Sequence, residues 1–345
     1  IRKDIRVINY SLLGIDWYIN QLRYKVNESP AIDVIWSADQ IEGSKRDYIE
    51  YKPNASMPDD KFYNLYDVMK NYVGKDNPDN DYSFPVKNVT VPVDAAAAIK
   101  NGTVNATDSV LSSLDFSLPR NALMKNESAV LNIIAANNWK RPIYFTNAGA
   151  ELGFDQYLRR DGLSYRLAPV KNSKVNTDWM LDKLTNKFAF GNANKPGVYF
   201  DEENRRHLGG IRSAYAELAI DLSAKNRKEE ARAVLNKVDK MMHESNFGYG
   251  LTSRGNLHNR NSLLFLEACY LAGDQTLIQK VSAAVKKDLQ QQVNYYNTLS
   301  GQKADNMAQE KQTAETYLQA LGQMQTMYNP SVEIPGKVMS KEASK

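Results

Sequence analysis

Three histidines (His207, His243, His258) and one cysteine (Cys269) are the side chains from which metal binding or nucleophilic chemistry would ordinarily be built. None of the histidines stands at metal-ligand spacing, and none neighbours a cysteine or belongs to an HExxH pattern. There is no GxSxG elbow, no phosphate loop of the GxxxxGKS or GxxxxGKT type, and no GxGxxG after the first expected strand, whose exit reads Ser11-Leu12-Leu13-Gly14-Ile15. His243-Glu244-Ser245 and the Gly248-Tyr249-Gly250 turn are explained more cheaply as a loop between helices than as a catalytic site. The sequence therefore nominates no catalytic residue, no metal and no cofactor.

Two polar clusters are better candidates. Asn9, Ser11, Asp16, Trp17, Tyr18 and Gln21 surround the expected carboxyl end of a strand, where open α/β sheets hold ligands. Asn137, Asn138, Trp139, Lys140, Arg141 and Tyr144 bracket a second strand start, and Asp155, Tyr157, Arg159 and Arg160 follow. Rings that stack, with amides and guanidinium groups that satisfy hydroxyls or carboxylates, suit sugar or peptide recognition. Asn9, Asp16, Trp17, Tyr18, Gln21, Arg141 and Tyr144 are the ligand-binding candidates. If they converge, Arg141 offers a fork for a carboxylate or phosphate and Tyr18 a stacking face, which fits an acidic acceptor peptide or a lipid-phosphate sugar donor. The structural alternative makes Trp17 and Trp139 core anchors, Asp16 a helix cap, and Arg141 the partner of Asp16 in an internal ion pair.

Positioning such groups takes an ordered frame, and 345 residues, 42% of them hydrophobic and 24% charged, are enough for two domains. Forty-four Lys and Arg against 40 Asp and Glu leave +4 with both signs interleaved, so no nucleic-acid partner is expected. No apolar run approaches the roughly 18–20 residues of a spanning helix. Cys269 allows no internal disulfide and lies in an apolar helical run, Leu263–Leu271, that predicts burial. Opening at Ile1 without an initiator Met or an apolar leader, the chain is expected to be a piece of a longer protein.

The first part reads as α/β. Ile5–Tyr10 predicts a strand, and Asp16 caps a helix carrying Trp17, Tyr18, Ile19 and Leu22. Ser44–Pro92, rich in Tyr, Asp and Asn and broken by Pro53, Pro58, Pro78, Pro85 and Pro92, predicts a long irregular insertion around one short helix near Phe62–Tyr72. A helix over Ser128–Asn137 precedes a strand over Arg141–Phe145, expected in the same sheet as Ile5–Tyr10; a short helix at Phe154–Leu158, a strand at Ser164–Val170 and a helix from Thr177 follow. Beyond Phe200 the pattern is helical: Arg212–Ala224, Lys228–Met242, Ser262–Ala272, Gln275–Tyr296 and Asp305–Tyr328. Tyr215, Leu218, Ala219, Leu222, Asn226, Ala231, Leu235 and Val238 keep the spacing of a tetratricopeptide repeat, and a degenerate second pair follows, although an unrelated αα-hairpin bundle shares part of this pattern. The expected fold is thus an α/β domain with a small, mostly parallel or mixed sheet over 1–200, with its insertion at about 44–92. An all-α, tetratricopeptide-like helical-hairpin domain over 201–330 and a tail over 331–345 complete it, the tail loose from Gly336 to Lys345.

Four segments carry a family resemblance: Asp4–Leu13 with Asp16-Trp17-Tyr18-Ile19 and Gln21; Trp139-Lys140-Arg141-Pro142-Ile143-Tyr144-Phe145; Leu152–Leu158 with Gly162-Leu163 and Tyr165–Val170; and Gly197-Val198-Tyr199-Phe200-Asp201. Together they resemble, in order, the part that follows the last membrane spans in a bacterial family of large membrane proteins. That family is similar to protein O-mannosyltransferases of the GT-C superfamily. The resemblance implies a soluble extracytoplasmic half, tethered on the periplasmic face through spans outside this chain, with the catalytic acid in a loop between early spans and no catalytic residue carried here. Implied partners are the protein's own membrane-spanning half and an acceptor protein or peptide. Two competing readings are a free-standing envelope enzyme acting on glycans through carboxylates such as Asp16 and Asp155, and a pure helical-repeat scaffold.

Overall fold

The computed structural model describes residues 2–77, 79, 81–147, 151–171 and 173–328. The tail expected at 331–345 lies outside the described residues, as does Pro78. Two compact units divide the chain at Lys174 and Val175.

In the first unit the helices are α1 (Asp16–Leu22), α2 (Ala38–Ile41), α3 (Leu65–Val68), α4 (Ala95–Lys100) and α5 (Lys125–Asn137). The strands are β1 (Tyr48–Tyr51), β2 (Tyr63–Asn64), β3 (Ser83–Phe84), β4 (Asn88–Pro92), β5 (Ser113–Ser117), β6 (Ala122–Met124), β7 (Tyr144–Phe145), β8 (Leu158–Asp161) and β9 (Ser164–Leu167). They form three small sheets in the orders β3-β1-β6, β2-β4-β5 and β7-β9-β8. The first two are mixed, since β1 runs parallel to β3 and antiparallel to β6, and β4 parallel to β2 and antiparallel to β5. The third is antiparallel.

Two expectations about this unit fail. Ile5–Tyr10 is not a strand and shares no sheet with β7. Its backbone is instead tied to a side chain and a turn: the Asn9 N–H donates to Tyr18 Oη at 2.8 Å, and the Asn9 and Tyr10 carbonyls accept from the Leu13 N–H at 3.3 and 3.2 Å. Nor is 44–92 an excursion, because it supplies β1 to β4 and buries Ile49, Val68, Met69, Phe84, Val89 and Val91. Its organiser is Arg46, which is fully buried. The guanidinium donates to the Val73 carbonyl at 2.7 Å and the Gly74 carbonyl at 2.9 Å, pairs with Asp76 at 2.8 Å, and stacks on the Tyr82 ring at 4.2 Å. Those carbonyls close a π-helical turn, Met69–Val73, and Arg46 supplies the donors that the irregular backbone lacks.

The second unit is helical, as its period predicts. Its helices are α6 (Thr177–Asn186), α7 (Glu202–Ala224), α8 (Lys228–Met241), α9 (Glu244–Phe247), α10 (Leu257–Ala272), α11 (Gln275–Asn297), α12 (Gln302–Asn306) and α13 (Ala308–Tyr328). Tyr215, Leu218, Ala219, Leu222, Ala231 and Leu235 have no exposed surface, and Asn226 takes a left-handed φ of 59° in the short α7–α8 connection. Gly273, at φ 73°, ends α10, and Asp274 caps α11 by accepting from the Leu277 N–H at 3.1 Å. Helix α6, expected in the first domain, belongs to the second unit. Arg227 reaches Asp178 at 2.6 Å, and Met180 and Leu184 are buried in the core that holds Tyr215. The fold class is as expected, small sheets with helices followed by an all-helical part.

Candidate functional site

A cavity of the first unit is lined by aliphatic and aromatic side chains with a few polar ones among them. The Asn9 side chain accepts from the N–H groups of Ser11 and Leu12 at 3.0 and 3.3 Å, which starts a 3-10 turn, Ser11–Gly14, and buries Leu13 against the core. Helix α5 passes beside this turn with Val130, Ile133 and Ile134, and β7 with the residue before it adds Ile143, Tyr144 and Phe145. Between them lies a half-open cavity of about 440 Å³.

Arg120, Glu127, Glu151, Tyr10, Thr146 and Asn147 complete its lining. Arg120 pairs with both Glu127 and Glu151. Glu127 is nearly buried and also accepts from the Met124 N–H at 2.8 Å, closing the first turn of α5. Partial burial, with Glu127 adding to it and Arg120 opposing it, holds the Tyr10 phenol above its usual range. Burial does the same to Tyr144, against the Arg166 guanidinium at 5.0 Å from its ring. The arrangement presents apolar walls with a doubly paired guanidinium and two protonated phenols around them. It suits an apolar group with a polar end, and it offers no activated nucleophile.

Of the residues expected at a site, Tyr144 lines this cavity, and Asn9 shapes it through the turn between Ile8 and Leu13. The others do not converge. Asp16 accepts from the Trp17 N–H at 2.7 Å and the Gly43 N–H at 3.1 Å; the Gly43 bond is the main cause of its lowered pKa. Both carboxylate oxygens thus serve the backbone. Trp17 is 56% exposed and meets Tyr18 edge to face at 5.7 Å, so it is no core anchor, and Gln21 is exposed. Arg141 donates to the Pro30 carbonyl at 3.1 Å and Ser29 Oγ at 3.0 Å. Asp16 is not its partner. Trp139 is the anchor that the structural alternative described, 5% exposed with its ring N–H on the Pro92 carbonyl at 2.7 Å. Of the trailing cluster, Asp155 is exposed, but Arg159 and Arg160 are buried, Arg159 against Asp108 at 2.7 Å, and Tyr157 donates to the Asp115 carbonyl at 2.8 Å.

Sequence reasoning missed Tyr10, Arg120, Glu127 and Glu151. The available signal was weak: an acidic residue three positions after Met124, and an α5 apolar stripe (Val130, Leu131, Ile133, Ile134) wider than one core face needs.

Among the described residues, no group of three or more His, Cys, Asp and Glu is placed to hold a metal ion. His207 is exposed beside Glu203 at 3.3 Å, His243 caps α9, and burial pushes the Cys269 thiol well above its ordinary value. No described helix is long and apolar enough to cross a membrane. A family model described as TMEM260-associated domain 2 matches residues 1–187. No curated protein and no solved structure matches the chain.

Proposed function

Because the chain belongs to the TMEM260-associated domain 2 family, which that description ties to a membrane protein, we propose that it is a non-catalytic, extracytoplasmic domain of a membrane glycosyltransferase resembling protein O-mannosyltransferases. In this reading it is tethered at the periplasmic face and works beside its own membrane-spanning half. Its task is to hold a segment of an acceptor or partner protein.

The observation that carries the reading is the cavity of about 440 Å³ with aliphatic walls and the Arg120 pairs beside them. An apolar side chain of an extended segment would enter against Val130, Ile133 and Phe145, while the polar residues of the lining meet its backbone or a neighbouring charge. Asp16, the carboxylate on which a glycan-hydrolysing reading would lean, has both oxygens engaged by backbone N–H groups.

The test is Ile133→Arg in the full-length protein. Ile133 is only partly buried, so the variant is expected to fold. Glycan transfer to the acceptor should fall about tenfold or more, because the group that fills the cavity is displaced. Transfer at the parent rate by a variant with an unchanged melt would sink the reading. Phe145→Ala, which enlarges the cavity instead of filling it, supplies a second variant should the first unfold.

A further inference from the structure

Residues 3–26 carry large apolar side chains that the core does not use. Val7 is 82% exposed, Tyr24 69%, Trp17 56% and Ile5 50%, and Ile15 and Val26 are also exposed. Three contacts lay the two stretches side by side: the Lys3 carbonyl on the Glu28 N–H, the Arg6 guanidinium on the Tyr24 carbonyl, and the Asn9 N–H on Tyr18 Oη. The Lys3–Asn9 stretch therefore runs beside Tyr18–Glu28, and Ile5, Val7, Trp17, Tyr24 and Val26 are all exposed along it or next to it. Single exposed apolar residues need no explanation, but several on neighbouring stretches point to a contact surface.

The charges on this surface narrow the partner. Arg2, Lys3, Arg6, Arg23 and Lys25 stand among the aromatic residues, against Asp4, Asp16 and Glu28. Asp4 pairs with Arg2, Asp16 keeps its charge under two backbone N–H bonds, and Lys3 and Lys25 are exposed, so five cations stand against three anions. Arg6 Nε is buried without a hydrogen-bond partner, and the Arg6 charge acts against that of Arg141, on which Asp33 and Asp4 act in the opposite sense. Lysine is depleted from the cores of protein interfaces. Trp and Tyr interleaved with Lys and Arg are instead what a bilayer surface accepts, the rings at headgroup depth and the cations on lipid phosphates.

We propose that the face formed by residues 3–9 and 15–26 seats this chain on an anionic membrane surface, with Val7, Trp17 and Tyr24 entering the headgroup layer and Lys3, Arg6 and Lys25 meeting lipid phosphate. The seat does not depend on the cavity or on any glycosyl transfer. The Tyr10 and Leu13 side of the same segment lines the cavity, so the two surfaces share a wall.

The experiment is co-sedimentation of the 345-residue chain with vesicles of equal parts phosphatidylcholine and phosphatidylglycerol, and with vesicles of phosphatidylcholine alone. Binding to the anionic vesicles is expected, weakening with salt, and falling about tenfold in Trp17→Ser/Tyr24→Ser and in Lys3→Glu/Lys25→Glu. These side chains are exposed, so both variants keep the fold of the parent. Absence of sedimentation, equal binding to neutral vesicles, or parent-like binding by either double variant would overturn the proposal. Inorganic phosphate that displaces the chain from vesicles at equal ionic strength, beyond the effect of chloride, would reduce the site to a free-anion pocket and also overturn it. None of these readouts involves acceptor transfer, so failure here leaves the cavity reading standing.

Discussion

Burial is the main influence on how His258 behaves. Its ring is 8% exposed and edge-on to Phe247 at 4.7 Å, and its Nε2 lies 2.8 Å from the Gly248 carbonyl, an acceptor that requires a proton on that nitrogen. Burial, reinforced by the nearby Arg212 charge and only partly offset by the Gly248 hydrogen bond and Asp288, pushes its pKa down to about 4. Unfolded, the ring takes its proton near its ordinary value of about 6.5. Between those values the unfolded chain binds more protons than the folded one, so this stabilisation is complete above pH ~6.5 and is lost as pH falls towards 4. We expect urea unfolding of the second unit to lose about 2 kcal/mol between pH 7 and 5, and His258→Gln to remove that pH dependence. Equal slopes in parent and variant would show that His258 is solvated. Arg212 beside it keeps its charge, though burial lowers its pKa to about 10: it donates to the Phe247 and Gly248 carbonyls at 2.7 and 3.1 Å and lies over the Phe247 and Tyr249 rings at 4.4 and 4.3 Å.

At the scale of elements, the α7–α8 hairpin depends on small residues at fixed places. Ala219 and Ala231 are fully buried, and a Leu at position 219 would have to push neighbouring side chains off their rotamers. Ala219→Leu should destabilise the second unit by about 1–3 kcal/mol, read from thermal melts, and an unchanged melt would place Ala219 where space is free. This hairpin was legible because a 3.6-residue period runs over more than ten residues, with Asn226 marking the turn. Of the strands, β7 and β9 fall inside stretches that read as strand, Arg141–Phe145 and Ser164–Val170, whereas β2 and β3 are two residues each, too short for a period of two to register. Ile5–Asn9 has the β-branched content of a strand, yet the Asn9 N–H finds Tyr18 Oη, a partner that sequence spacing does not announce. The prolines of 44–92 read as breaks, whereas Arg46 fastens that stretch from 27 to 30 positions away. The candidate site was legible only at Tyr144. Its walls are plain aliphatic residues, indistinguishable in sequence from core, and Glu151 reaches Arg120 from 31 positions along the chain.

At the scale of the molecule, the division at Lys174 separates two hydrophobic cores, and α6 tests where the second one begins. The family model ends at 187, just past α6, and the composition changes near Phe200, so neither marks the boundary that packing gives. The attachments of α6 are specific: Met180 and Leu184 are fully buried, the Tyr215 hydroxyl donates to the Leu184 carbonyl, and Lys237 donates to the Thr185 carbonyl. Loss of α6 would expose the groove that those two side chains fill and leave the Tyr215 hydroxyl, otherwise buried, without its acceptor. Burial of Met180 and Leu184 contributes roughly 1.5–3 kcal/mol each, a large fraction of a domain's net stability of about 5–15 kcal/mol. A fragment of residues 175–328 is therefore expected to unfold cooperatively, followed by helical circular dichroism. One starting at 201 should have a clearly lower midpoint, or populate a state with helix but without fixed packing. Identical midpoints for the two fragments would show that α6 is an ornament on the second unit and return the boundary to the neighbourhood of Phe200.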